Sequence, residues 1–293
     1  MRLGAVEAGG TKFVCAIGNE YGDILERTSF PTTTPKETLD QVIDFLHRKN
    51  VDAIGIGSFG PIDVNTSSNT YGYVMNTPKL AWRNYDVLGH MKEHFSVPIA
   101  FDTDVNAAAL GEATWGAAKG LDSCIYMTVG TGIGVGAIVE GKLLHGMSHP
   151  EMGHILLKPH HTDSFTGVCP YHGNCLEGMA SGPAIEKRWN QQGTELQTST
   201  EVWELEAYYL AQALMNYVLI LAPKRLIIGG GVMKQKQLYP LVSRQLIELL
   251  QGYVSENEYF YGDLSTYIVP PALGDNAGVS GAVALAKGSL VQG

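Results

Sequence analysis

Residues 3–18 read LGAVEAGGTKFVCAIG, and residues 123–140 read SCIYMTVGTGIGVGAIVE. Each is an apolar, strand-like run, a glycine-rich turn and a second such run. Gly9-Gly10 turns Leu3–Glu7 into Phe13–Gly18, and the turn 130–134 carries Ser123–Val129 into Val135–Glu140. A dinucleotide fingerprint needs a helix after its glycines, whereas a strand follows here, so that fold is excluded. Two copies of one opening predict an α/β chain built twice on the same plan, in two domains with a cleft between them.

The pattern extends outward from both copies. In the first, Asn19–Gly22 leads to a third strand, Ile24–Phe30. A capping box, Thr34-Pro35-Lys36-Glu37, then starts a helix whose apolar face is Leu39, Val42, Ile43 and Leu46. A buried strand Ala53–Gly57, a helix over Tyr85–Phe95, a strand Ile99–Asp102 and an Ala-rich helix Asn106–Trp115 complete this half. In the second, Lys142–Leu144 is the third strand. Helices over Ser199–Leu221 and Leu238–Leu250 flank a strand at Arg225–Ile228, Thr266–Val269 is another strand, and a helix over Asn276–Ala286 closes the chain. The expected lobes are 1–118 and 119–273, with the helix in 274–293 packing back on the first.

Composition narrows the class. The 293 residues are 45% apolar and 17% charged, which supplies a core and argues against disorder. A net charge of −9 disfavours nucleic acid and anionic membrane as partners, while leaving room for a nucleotide held by local backbone donors. Four cysteines, with Cys15 and Cys124 in apolar strands, suit a reducing compartment. No run reaches transmembrane length, so the expected location is cytoplasmic.

One segment carries metal chemistry: Glu151-x-x-His154, then Cys169-x-x-His172-x-x-Cys175-x-Glu177. Two thiols and two imidazoles can surround a tetrahedral zinc ion. His154, Cys169, His172 and Cys175 are the expected ligands, with His149, His160 and His161 as competitors for the imidazole places. His154 is preferred because Ile155-Leu156-Leu157 would hold it on a strand. Four protein ligands leave no open position for water, so the zinc is structural.

Four further motifs have two readings each. In Glu7–Lys12, the turn through Gly10 brings backbone N–H groups near phosphate oxygens, with Thr11 and Lys12 adding a hydroxyl and a charge; otherwise it is a plain hairpin with a surface lysine. The turn at 130–134 is the equivalent in the second half. Gly229-Gly230-Gly231 either admits a flat ring beside the backbone or is a flexible turn. In Asp102-Thr103-Asp104-Val105-Asn106, Asp104 is either a general base or the cap of the following helix, and spacing alone slightly favours the cap.

Taken together, the Gly9–Lys12 turn, Asp104-Val105-Asn106-Ala107-Ala108, the hairpin at 130–134 and the block from Glu151 to Glu177 resemble the ROK family of sugar kinases, and within it the bacterial fructokinases. The resemblance spans the chain. It implies the duplicated ribonuclease-H-like (actin-like ATPase) fold, and transfer of the γ-phosphoryl group of ATP to a hexose hydroxyl with Mg2+. It makes Asp104 the general base. Asn76, Thr103, Glu151, His154 and Glu177 become sugar contacts, with the loop 57–63 beside them. Gly10, Thr11, Lys12, Thr131 and Gly132 fall on phosphates. Pro183, Gly230, Gly231, Val232, Met233 and Lys234 fall around the adenosine. A homodimer is common in the family.

Glu7 stands where the family usually has Asp, His172 where it usually has Cys, and Phe59 where Pro is common. Thr103 with Asn76-Thr77-Pro78-Lys79 resembles fructokinases most, so D-fructose is the first sugar and fructose 6-phosphate the product. Mannose comes next, followed by glucose and N-acetylmannosamine. A sugar-sensing transcription regulator would need a DNA-binding segment where the first strand already begins, and a zinc hydrolase would leave both glycine hairpins without a role.

Overall fold

The computed structural model describes residues 1–254 and 264–290. In the first half, β1 (Leu3–Ala8), β2 (Lys12–Gly18) and β3 (Ile24–Pro31) form a meander. They are followed by α1 (Pro35–His47), β4 (Ala53–Ser58), a ribbon of β5 (Tyr73–Val74) with β6 (Tyr85–Asp86), α2 (Val87–His94), β7 (Ile99–Thr103) and α3 (Asp104–Trp115). The sheet order is β3-β2-β1-β4-β7, with β4 parallel to both β1 and β7.

The second half opens with β8 (Cys124–Val129), β9 (Ile133–Val139) and β10 (Lys142–Leu143). Then come α4 (Leu176–Ala180), α5 (Gly182–Trp189), α6 (Thr200–Leu221), β11 (Leu226–Gly229), α7 (Leu238–Leu250), β12 (Ile268–Val269) and α8 (Ala277–Ser289). Its sheet order is β10-β9-β8-β11-β12, with β11 parallel to β8 and β12. Both sheets thus follow one order, the duplication read from the paired hairpins and the ribonuclease-H-like plan that the resemblance implied.

Two compact units result. One comprises Met1–Gly120, Leu143–Pro150 and the stretch from Ala272; the other comprises Leu121–Lys142 and the described part of Glu151–Pro271. In the first unit, Thr34 caps α1 by accepting the Glu37 N–H at 3.4 Å, and Leu39, Val42, Ile43 and Leu46 are buried as their spacing predicts. Burying each such leucine is worth about 1.5–3 kcal/mol. Trp82 packs its ring 5.2 Å from Phe13 and donates its indole N–H to the Thr33 carbonyl. On the other face of the sheet, Val279, Ala282, Val283 and Ala286 of α8 cover Leu3, Ala5, Val14, Ala16 and Ala53.

Several local expectations are corrected. The helix predicted over Tyr85–Phe95 begins at Val87, because Tyr85–Asp86 pair with β5 and the Asp86 carboxylate accepts the Gly89 N–H at 2.7 Å. Only Ile268–Val269 of the strand predicted at Thr266–Val269 pairs, since Leu264–Thr266 form a 3-10 turn. His154 is not on a strand but ends a 3-10 turn, Met152–His154. The helix predicted from Asn106 starts at Asp104, and its cap is Thr103. Residues 143–150, expected in the second half, cluster with the first unit.

Candidate active site

The second glycine hairpin is closed by the Gly130 N–H, which donates to the Gly132 carbonyl at 2.9 Å. The Gly182 N–H at the start of α5 donates to the Gly130 carbonyl at 2.8 Å, and the Ser181 hydroxyl caps that helix at the Ala184 N–H. Hairpin and helix start are therefore joined. Beside them lies a cavity of about 310 Å3, lined by Thr131, Pro183, Gly231 and Val232 together with Ile185, Trp203 and Gln235. Apolar Ile185, Val232 and Trp203 beside the glycine backbone at Gly182 and Gly231 suit an adenosine and its phosphates.

The other predicted nucleotide residues are placed less uniformly. Gly230 has φ +95° and lies against the Val129 backbone, so it makes the turn, while the open Gly231 meets the cavity. Met233 is buried in the core and Lys234 is exposed; neither lines the cavity. A larger hollow of about 800 Å3, lined by residues such as Asp163, Arg188 and Glu204, carries none of the predicted site residues.

His154, Cys169, His172 and Cys175 converge, with one donor atom from each lying within 4.8 Å of all the others. The His154 Nδ1 is 3.5 Å from the Cys175 Sγ and 3.8 Å from the Cys169 Sγ, and the His172 Nδ1 is 3.7 Å from the Cys169 Sγ. A zinc tetrahedron with ordinary Zn–S and Zn–N bonds has edges of about 3.3–3.8 Å. The donor set therefore fits that ion in both chemistry and spacing. Burial and the neighbouring Cys169 push the Cys175 thiol up to about 11, an arrangement that a bound cation would reverse. His149, His160 and His161 stand outside the cluster.

The segment carrying these ligands is tied to one face of α6. The Tyr209 hydroxyl accepts the His160 N–H, the Gln212 side chain bonds both the N–H and the carbonyl of Lys158, and the Tyr217 hydroxyl donates to the Met152 carbonyl. Gly153 allows the 3-10 turn to lie on β9, where a Cβ would stand 1.8 Å from the Ile133 carbonyl oxygen.

Two carboxylates adjoin this turn. Glu177 lies in the first turn of α4, and its Oε2 accepts the Ile133 N–H at 3.0 Å, beside Gly132. Glu151 has part of its surface open, yet the protein packed around it and the Glu177 charge raise its pKa. The two carboxylates and the second glycine hairpin are thus contiguous within one unit.

In the first unit, Thr103 accepts the Asn106 N–H at 3.0 Å and so performs the capping that spacing had assigned to Asp104. Asp104 is the first helical residue, with its Oδ1 accepting the Val105 N–H at 2.9 Å. Thr103 itself is buried, whereas Asn76 is exposed after β5. Thr11 and Lys12 are exposed at the start of β2, and Lys79, which the sequence reading quoted only as part of the Asn76–Lys79 motif, lies against Gly10. Burial raises the Glu7 carboxyl despite Arg27 and Lys12 nearby, and its longer side chain occupies the space beside Gly278. Ile185, Trp203 and Gln235 also went unread in the sequence; only contact across three elements marks them.

Comparisons with known proteins give the family of the chain. A family model described as ROK family matches residues 3–289. A relative from Bacillus subtilis (strain 168) is 54% identical over 288 residues, covering 98% of this chain and 96% of its own length. The fructokinase of Pediococcus pentosaceus is 46% identical over 290 residues, 99% of each chain. Among solved structures, a ROK family glucokinase from Streptomyces griseus in complex with glucose and AMPPNP is similar with a TM-score of 0.76 and 25% identity, over 98% of this chain and 100% of that one.

Proposed function

From the premise that this chain belongs to the ROK family, we propose that it is an ATP-dependent hexose kinase acting on D-fructose, with phosphorylation at the 6-hydroxyl. The observation that carries this reading is the shared hairpin. Thr131 borders the nucleotide cavity, while the next residue but one, Ile133, holds the sugar-side Glu177. A kinase needs its phosphoryl donor and acceptor sites adjacent, because alignment supplies most of the rate.

Asp104 takes the proton of the attacking hydroxyl. Its position at the start of α3, with capping left to Thr103, supports that role. Glu151, Glu177, His154 and Asn76 hold the remaining sugar hydroxyls. His154 turns Nδ1 toward the two thiols, which leaves Nε2 for the sugar. Thr11, Lys12, Gly10, Thr131 and Gly132 receive the phosphates, and the walls at Pro183, Gly231 and Val232 receive the adenosine.

The four-ligand cluster would hold zinc, which supplies a cross-link to the segment between His154 and Cys175. Magnesium, when bound, would neutralise developing phosphate charge, and Glu7, standing where the family usually has Asp, would be the carboxylate nearest that role. Exposed Leu219 and Ile220 on α6 support a homodimer. Cys15, Cys124, Cys169 and Cys175 are all outside disulfides, which suits a cytoplasmic setting, and among the described residues no helix is long and apolar enough to cross a membrane.

The test is Asp104→Asn assayed with ATP, Mg2+ and fructose, mannose, glucose or N-acetylmannosamine. The expected result is fructose as the preferred sugar of the unaltered protein and a loss of roughly 100-fold or more in kcat for the variant, on the order of general-base effects. Near-unaltered turnover in the variant would remove Asp104 from the mechanism, and absence of sugar phosphate from the unaltered protein would overturn the activity.

A further inference from the structure

Residues 143–150 run between two parts of the second unit but cluster with the first, and two histidines attach them there. The His149 Nε2 accepts the Ile62 N–H at 3.0 Å, which anchors the loop 57–63. The His145 Nε2 lies 2.8 Å from the Asp102 Oδ2. Neither histidine is a metal ligand, and neither has a role in the reaction as described above.

Asp102 connects His145 to the reacting region. Its side chain is only 5% exposed, and its Oδ1 accepts the Thr103 N–H at 2.7 Å and the Asn106 Nδ2 at 2.8 Å. Thr103 in turn caps Asn106, so both ends of the Thr103–Asn106 turn that contains Asp104 are held by one carboxylate and one hydroxyl. A buried carboxylate requires donors on both oxygens. Backbone and Asn106 serve Oδ1, and His145 serves Oδ2. Asp102 raises the His145 pKa, which favours the charged donor.

We propose that His145 is a positioning residue for phosphoryl transfer. It fixes Asp102, and through Asp102 the Thr103–Asn106 turn that presents Asp104. The inference rests on the reading of Asp104 as the base. Removing the imidazole leaves Asp102 with an unserved buried oxygen, so its side chain rotates toward water and the turn loses its bracket. A displacement of about 1 Å in a reacting group costs up to about 100-fold in rate, and a loss of about tenfold is expected here.

The experiment compares His145→Ala, His145→Gln and Asp104→Asn in the full-length protein, measuring kcat, KM for sugar and for ATP, and melting temperature. Gln places an N–H near the position of Nε2. Support is a kcat reduced about tenfold in His145→Ala, with KM for ATP and melting temperature unchanged, and recovery of most of that loss in His145→Gln. The inference is overturned by unaltered kcat in His145→Ala, by equal losses in the two variants, or by a fall of about 5 °C or more in melting temperature, which assigns the histidine to folding. Asp104→Asn separates the two readings. If it is inactive while His145→Ala is unaltered, only the positioning role fails; if it keeps full activity, the base assignment fails whatever His145 does.

Discussion

Replacing Glu206 by Met is expected to make the protein more stable, by an amount that grows as pH rises. Glu206 lies on α6 at 1% exposure, and neither of its carboxylate oxygens has a hydrogen-bond partner among the described residues. Burial raises its pKa well above the ordinary 4.5, against a smaller opposing pull from Arg188. Arg188 is already engaged, with its Nε 3.2 Å from the Asp163 Oδ2 and its guanidinium over the Phe165 ring. The folded state therefore holds the Glu206 proton more tightly than the unfolded chain does. Stability from this group is complete below about pH 4.5 and is lost as pH rises toward the folded pKa.

Methionine has similar length and no unmet polar atom. A buried unsatisfied group costs about 1–3 kcal/mol, and each kcal/mol moves the melting temperature of a unit of this size by about 2–4 °C. The Met variant should melt about 2–12 °C above the unaltered protein at pH 8, with the gap narrowing toward pH 4.5. Calorimetry across that range gives the answer. A variant that melts lower at pH 8, or a gap independent of pH, would show that Glu206 is ionised in the folded protein and paired with Arg188.

Two other perturbations probe the metal segment and its seat on the sheet. Cys175→Ala should carry less than one zinc per chain and show a raised KM for sugar with little change in KM for ATP; elemental analysis beside sugar titration decides, and full zinc retention would remove Cys175 from the ligand set. Gly153→Ala would place a methyl 1.8 Å from the Ile133 carbonyl, so the turn bearing His154 must shift. A core overpacking penalty of about 1–3 kcal/mol and a fall of at least about tenfold in kcat/KM for fructose are expected, and unaltered kinetics in that variant would show that the turn tolerates displacement.

Much of the fold was legible because its signals are local. The two glycine hairpins, the Thr34 cap and the spacing of Leu39, Val42, Ile43 and Leu46 each lie within one element. The metal cluster was legible for a related reason: thiols and imidazoles are few, and here they crowd one segment. What stayed hidden depends on distant partners. Neither α4 nor α5 is long enough to show a periodic face, and α5 owes its start to the Ser181 cap and the tie to Gly130. The division of labour between Thr103 and Asp104 turned on which side chain reaches the Asn106 N–H, and two adjacent polar residues both offer that in sequence. The placement of 143–150 rests on Asp102 and Ile62, far away in the chain.

The first unit draws on both chain termini, and this has a consequence for biosynthesis. Its sheet is complete once β7 has been made, yet Leu3, Ala5, Val14, Ala16 and Ala53 are covered by α8, the last helix of the chain. At ordinary ribosomal speeds of about 5–20 residues per second, that apolar face waits roughly ten seconds or more for its cover. Nascent chains held at that stage should recruit holdase chaperones, and loss of the final helix should send the protein to aggregates or proteases while every residue proposed for phosphoryl transfer is still present.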